Sequence, residues 1–98
     1  MIEKKDPIEE SRAKGQQAML EMAKDYEKSS ATIQHAIEAY KEVIVSAPDS
    51  READRAREGL LGIAQKFQKE GKKESAFHIY RKLARELLKT APSRSIKY

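Results

Sequence analysis

Two histidines are the first residues to weigh for chemistry. His35 and His78 are the only ones in the 98-residue chain. A histidine supports metal or proton-transfer chemistry when other ligands or carboxylates converge on it. Glu38 and Glu74 lie near them in sequence, but no His-x-x-x-His or Glu-x-x-His spacing occurs. Both histidines read as ordinary surface positions on helices. Cysteine is absent, which removes thiol catalysis, disulfides and thiolate metal sites together. The serines fall in caps and tails, where bonding to a helix start explains them. The stretch "GLLGIAQ" follows no strand, so it forms no phosphate-cradling loop. Carboxylates alternate with Lys and Arg, as on a solvated helix face. The expectation is no enzyme, no metal and no cofactor.

Without a catalytic constellation, the composition and the helices carry the reading. Charged residues make up 37% and apolar residues 39%, a balance that folds yet stays well solvated. No stretch approaches the roughly 20 apolar residues that span a bilayer. The N-terminal "MIEKKDPIEE" lacks the apolar centre of a signal peptide. A cytoplasmic location is expected unless a leader has been removed. The net charge of +4 is uneven. Residues 1–48 hold 7 basic and 9 acidic side chains, a net −2, while residues 49–98 hold 13 and 7, a net +6.

Helix starts are marked twice, 43 residues apart. "DPIE" sets Asp6 as cap, Pro7 at the first helical position and Glu9 three after the cap, and "DSRE" repeats the pattern with Asp49 and Glu52. Apolar residues repeat as well. Met19, Met22, Ala23 and Tyr26 follow an i, i+3, i+4, i+7 spacing, and Leu60, Ile63, Ala64 and Phe67 follow it 41 residues on. Ala36, Tyr40 and Val43 recur as Ala76, Tyr80 and Leu83, with Ile37, Ile44, Phe77 and Leu87 widening the stripes. Breaks at "EKSSAT", "APDS", "KEGKKES" and "APSR" divide the chain, Ser29 or Ser30 capping one start and Gly71 closing a helix in the left-handed conformation. Helices are predicted near 7–28, 31–47, 50–70 and 73–91, with a loose tail at 93–98. Tyr80 lies four residues further from its closing proline than Tyr40 does, so the last helix should run about one turn longer. Gly59 and Gly62, inside the third helix, each cost about 1 kcal/mol relative to Ala unless a neighbouring backbone comes close.

The fold expected is all-α, one domain over residues 1–98. Two helix-turn-helix units, about 7–48 and 49–92, stack as four antiparallel helices. The second unit, "LLGIAQKFQKEGKKESAFHIYRKL", resembles the tetratricopeptide repeat family through Ile63, Ala64, Phe67, Gly71, Ala76 and Tyr80. The first unit keeps Met22, Ala23, Tyr26, Ala36, Tyr40 and Pro48, with one extra residue in its turn and no turn glycine. "APDSREAD" is similar to the longer-period bacterial variants of that family. The resemblance implies an α-solenoid. It also implies a protein or peptide partner bound on the concave face lined by the first helix of each unit. Carried over residue by residue, that face holds Gln17, Leu20, Lys24, Glu27 and Lys28, then Glu58, Leu61, Gln65, Gln68 and Lys69. Leu20 and Leu61 lie one step off the core stripe, where they either meet a guest or widen the core. The family's carboxylate clamp needs Asn, and the chain contains none.

Two other surfaces stand beside the groove. Arg81, Lys82, Arg85, Lys89, Arg94 and Lys97 form a basic C-terminal stretch suited to RNA, another polyanion or an anionic membrane. No aromatics interleave with them to stack on bases. Helix four also carries Phe77, Ile79, Leu83, Leu87 and Leu88, more than one narrow stripe. A homodimer or docking as the end module of a larger assembly would cover them.

Overall fold

The computed structural model describes residues 7–90, with the side chains of 7–8 and 10–85. Helix α1 spans Pro7–Glu27, α2 Ile33–Ser46, α3 Arg51–Lys69 and α4 Lys73–Thr90, and a short 3₁₀ turn at Ser30–Thr32 leads into α2. The fold is all-α, and no strand occurs among the described residues. Helix α4 has 18 residues against 14 in α2, the extra turn expected from the tyrosine positions. The cap proposed at Asp6 and the tail beyond 90 lie outside the described residues.

Each junction has a local cause. Ser29 caps the 3₁₀ turn by accepting the Ala31 amide at 3.1 Å, and the Thr32 hydroxyl donates to the Tyr26 carbonyl at 2.7 Å. This turn absorbs the extra residue of the first unit without any positive φ. The second hairpin turns at Gly71, whose φ of 82° suits a residue without Cβ. At the start of α3 the cap is Ser50, one residue after the expected Asp49. Its hydroxyl accepts the Ala53 amide at 3.0 Å and donates to the Ala47 carbonyl at 2.8 Å. One side chain therefore closes α2 and opens α3.

Helix α1 packs on α2, α3 packs on α4, and α3 also packs on both α1 and α2. The backbones of α2 and α4 stay apart, and a groove floored by Leu60 and Phe67 runs between them, bridged only by side chains such as Lys41 and Lys82. The core is one continuous cluster around Tyr40, Val43, Ile44 and Ile63. Small residues make its helix contacts close, with Ala23, Ala36, Ala53, Ala56 and Ala64 fully buried. Two expected core residues are outside it. Met22 is 45% exposed and Phe77 60% exposed. Leu20, two residues before Met22 and so on nearly the opposite side of α1, is buried instead, where α3 flanks the helix.

Tyr40 is the centre of the packing. Its ring lies on Gly59 of α3, so a Cβ there would stand 2.7 Å from Cε1 and 2.8 Å from Cε2. The close neighbour that justifies this glycine is an aromatic ring, where the sequence suggested a backbone. Gly62 is different, with nothing within 4 Å of a Cβ. The two glycines therefore predict opposite outcomes. Gly59→Ala gains about 1 kcal/mol in helix propensity but overpacks a ring that cannot retreat, for a net loss of about 1–2 kcal/mol. Gly62→Ala gains about 0.5–1 kcal/mol. Urea midpoints of the two variants should fall on opposite sides of the parent's.

Candidate functional site

The hydroxyl of Tyr40 reaches past Gly59 towards the surface shared by α1 and α3. It donates to Glu27 Oε2 at 2.5 Å. The same bond occurs in the second unit, where the Tyr80 hydroxyl donates to Gln68 Oε1 at 2.8 Å. Tyr40 and Tyr80 are 40 residues apart, and Glu27 and Gln68 are 41. Each unit thus ties the end of its first helix to the middle of its second in one way. Burial pushes the Tyr40 phenol well above its ordinary value of 10.0, and the bond to Glu27 and its charge push it further.

Between α1 and α3 lies an open valley of about 550 Å³. Lys24 and Glu27 line it from α1, Arg55, Glu58, Gly59 and Gly62 from α3, and Tyr40 from below. Its openness on the α3 side comes from Gly62, where nothing lies within 4 Å of a Cβ, while at Gly59 the Tyr40 ring takes that space. Gln65, Gln68 and Lys69 line a second depression with Gly62 and Lys66, further along the same helix. The structure therefore brings Lys24, Glu27 and Glu58 together, and Gly62 joins them to Gln65, Gln68 and Lys69. Gln17 is exposed on α1 outside both hollows, and Lys28 is held by Asp25 at 3.4 Å. Leu20 is removed from the accessible surface altogether at 3% exposure, so it packs the core and offers a guest nothing. Leu61, its counterpart in the second unit, stays 39% exposed.

Arg55, Tyr40, Gly59 and Gly62 were not among the residues expected at this face. The spacing Gly59-x-x-Gly62 held the signal, because positions three apart share one side of a helix. The basic stretch of α4 is divided by its geometry. Arg81 lies over the Phe77 ring, 5.8 Å from its centre. Lys82 and Arg85 turn into the α2–α4 groove, where Lys41 of α2 meets them. Contact with the Lys41 amine, and then its charge, lowers the Lys82 pKa. Lys41 also pairs with Glu38 at 3.7 Å. The side chain of Lys89 and residues Arg94 and Lys97 lie outside the described residues. His35 stacks edge-on against Tyr26 with ring centres 5.1 Å apart, and His78 lines the α2–α4 groove. No cluster of metal-ligating residues occurs among the described residues.

No family model, curated protein or solved structure matches the chain. The fold and site define its class by themselves: an all-α protein of two stacked helical hairpins, with a polar valley on one side of α3 and a mixed apolar and basic groove on the other. None of its described helices is long and apolar enough to cross a membrane.

The raised phenol pKa fixes a sign for alkaline stability. Below about pH 10 folded and unfolded chains both keep the Tyr40 proton, so its contribution is complete. Above that the unfolded chain ionises first, and stability falls by up to about 1.4 kcal/mol per pH unit from this one group. Tyr40→Phe should be less stable than the parent by about 1 kcal/mol at neutral pH. It should also lose stability less steeply between about pH 10 and 11. Urea unfolding of both chains across that range checks it.

Proposed function

We propose that the protein is a non-catalytic interaction module that holds a peptide or protein segment in the valley between α1 and α3. The observation that carries this reading is the stretch of α3 left bare at Gly62, beside Gly59 and the Tyr40 ring. A chain lying there comes within reach of α3 backbone and meets charges of both signs, Lys24 and Arg55 beside Glu27 and Glu58. Polar groups of mixed charge around a shallow hollow suit the backbone and side chains of a peptide better than a small apolar ligand. The likeness of both units to tetratricopeptide repeats supports the same face, since that family generally binds peptides or helices along the first helices of its units. The corresponding setting is an adaptor or scaffold in the cytoplasm.

A second reading rests on Lys41. It brings a third cation to Lys82 and Arg85, and a polyanion such as RNA would relieve their mutual repulsion.

The test is a peptide-display selection on the intact chain, followed by affinity measurement for the selected peptides. Gly62→Leu fills the valley from an open position and leaves the core untouched, so binding should weaken at least about ten-fold while the fold is retained. Binding in the valley should change little with salt. Enriched peptides that bind Gly62→Leu as tightly as the parent would refute the valley. Binding that falls steeply with salt, and is lost on Arg81→Glu with Arg85→Glu, would favour the polyanion reading instead.

A further inference from the structure

The two units match residue for residue, at 41 in their first helices and 40 in their second, and this lets one compare what each face meets. In the first unit Ile37, Tyr40, Val43 and Ile44 are buried, because the second unit lies over them. Their counterparts Phe77, Tyr80, Leu83 and Ala84 are exposed or half-buried. Leu20 and Leu61 differ in the same direction. The second unit thus ends in a copy of a face that the first unit has covered.

The covering stripe also has a copy. Helix α3 meets the first unit through Ala56, Gly59 and Ile63, which correspond to Gly15, Ala18 and Met22 of α1. Ala56 and Ile63 are buried, whereas Gly15, Ala18 and Met22 are all exposed. One end of the molecule presents the socket and the opposite end presents small residues at the spacing that fills it.

Charge favours the match. Inside the chain, the joint sets Lys41 beside Lys82, an unfavourable pairing of like charges. At a joint between two copies, Lys41 is replaced by Arg81 and Lys82 by Glu42, both exposed. Repulsion becomes attraction at that point. The net −2 of residues 1–48 and +6 of residues 49–98 act in the same sense. One detail loosens the fit. Ala18 has a methyl where Gly59 has none, so it would press on Tyr80. That ring is only half-buried and its hydroxyl bonds an exposed glutamine, which leaves it room that Tyr40 lacks.

We infer that the protein associates with itself head to tail: the α3–α4 end of one copy, with Leu61, Phe77 and Arg81, receives the α1–α2 end of the next, with Gly15, Ala18 and Met22 of α1 and Glu42 of α2. Such a contact is heterologous, so each added copy exposes a fresh socket and the assembly does not close at two.

Light scattering of the full chain from about 10 μM to about 1 mM tests this, with Met22→Glu and Phe77→Glu as single variants. Both sites are exposed, and circular dichroism verifies that the variants stay folded. The parent's mean mass should rise continuously with concentration and pass that of a dimer. Each variant alone should remain monomeric, having lost one of the two faces. Mixed in equal amounts they should form a complex of one copy each, because each contributes the face the other lacks. A parent that stays monomeric throughout would overturn the inference. So would a mass that levels at two copies, or a variant mixture that stays monomeric. Peptide binding in the valley is independent of these variants, so the two readings fail separately.

Discussion

A tyrosine ring resting on a glycine holds this protein together. Tyr40 comes from α2, lies against Gly59 of α3 and bonds Glu27 of α1, so three of the four helices meet at one side chain. The ring requires α3 to approach with no Cβ, and the phenol requires an acceptor on α1. Both conditions fix how far the second hairpin lies from the first. The aliphatic cluster of Val43, Ile44 and Ile63 fills around this contact and supplies most of the apolar burial. Its members are less directional, and a shape-conserving exchange among them would cost little. Tyr40 has no such freedom.

The valley follows from the same contact. At Gly59 the ring takes the place of a side chain, and one turn on Gly62 leaves the neighbouring surface open. Packing and the candidate site thus share one cause. The polar atoms of the site are held by structure as well. Glu27 is oriented by the phenol it accepts from, and Arg57, on the same helix as Arg55, is anchored to the Pro48 carbonyl and to Asp54, both at 2.9 Å. Buried Gln16 performs a related task from the middle of α1, donating to the Val43 carbonyl at 3.2 Å and to Ser46 Oγ at 3.3 Å, which secures the last turn of α2.

Much of this was legible in the amino-acid pattern, for identifiable reasons. An alanine followed one turn later by tyrosine, at 36/40 and again at 76/80, marks a close helix contact and states that it is used twice. Gly71 announced its positive φ because a hairpin turn needs it. What escaped was whatever depends on the side from which a neighbour arrives. The spacing sets Met22 in the core stripe of α1 and Leu20 one step off it, and the position of α3 decides that Leu20 is the buried one. Phe77 has the right spacing for the core, yet its partner in the repeat is covered by a second unit and Phe77 is not. Lys41 and Lys82 are 41 residues apart, and nothing local in either helix joins them; the offset of the repeat does. Asp49 and Ser50 are both good caps, and the hydroxyl of Ser50 prevails because it serves the end of α2 as well.

Because the backbones of α2 and α4 meet only through α3, that helix forms a wall of both troughs. Leu60 and Gly62 stand on roughly opposite flanks of that helix, Leu60 filling the floor of one trough and Gly62 leaving the other open. A ligand in either trough would therefore rest on the same helix.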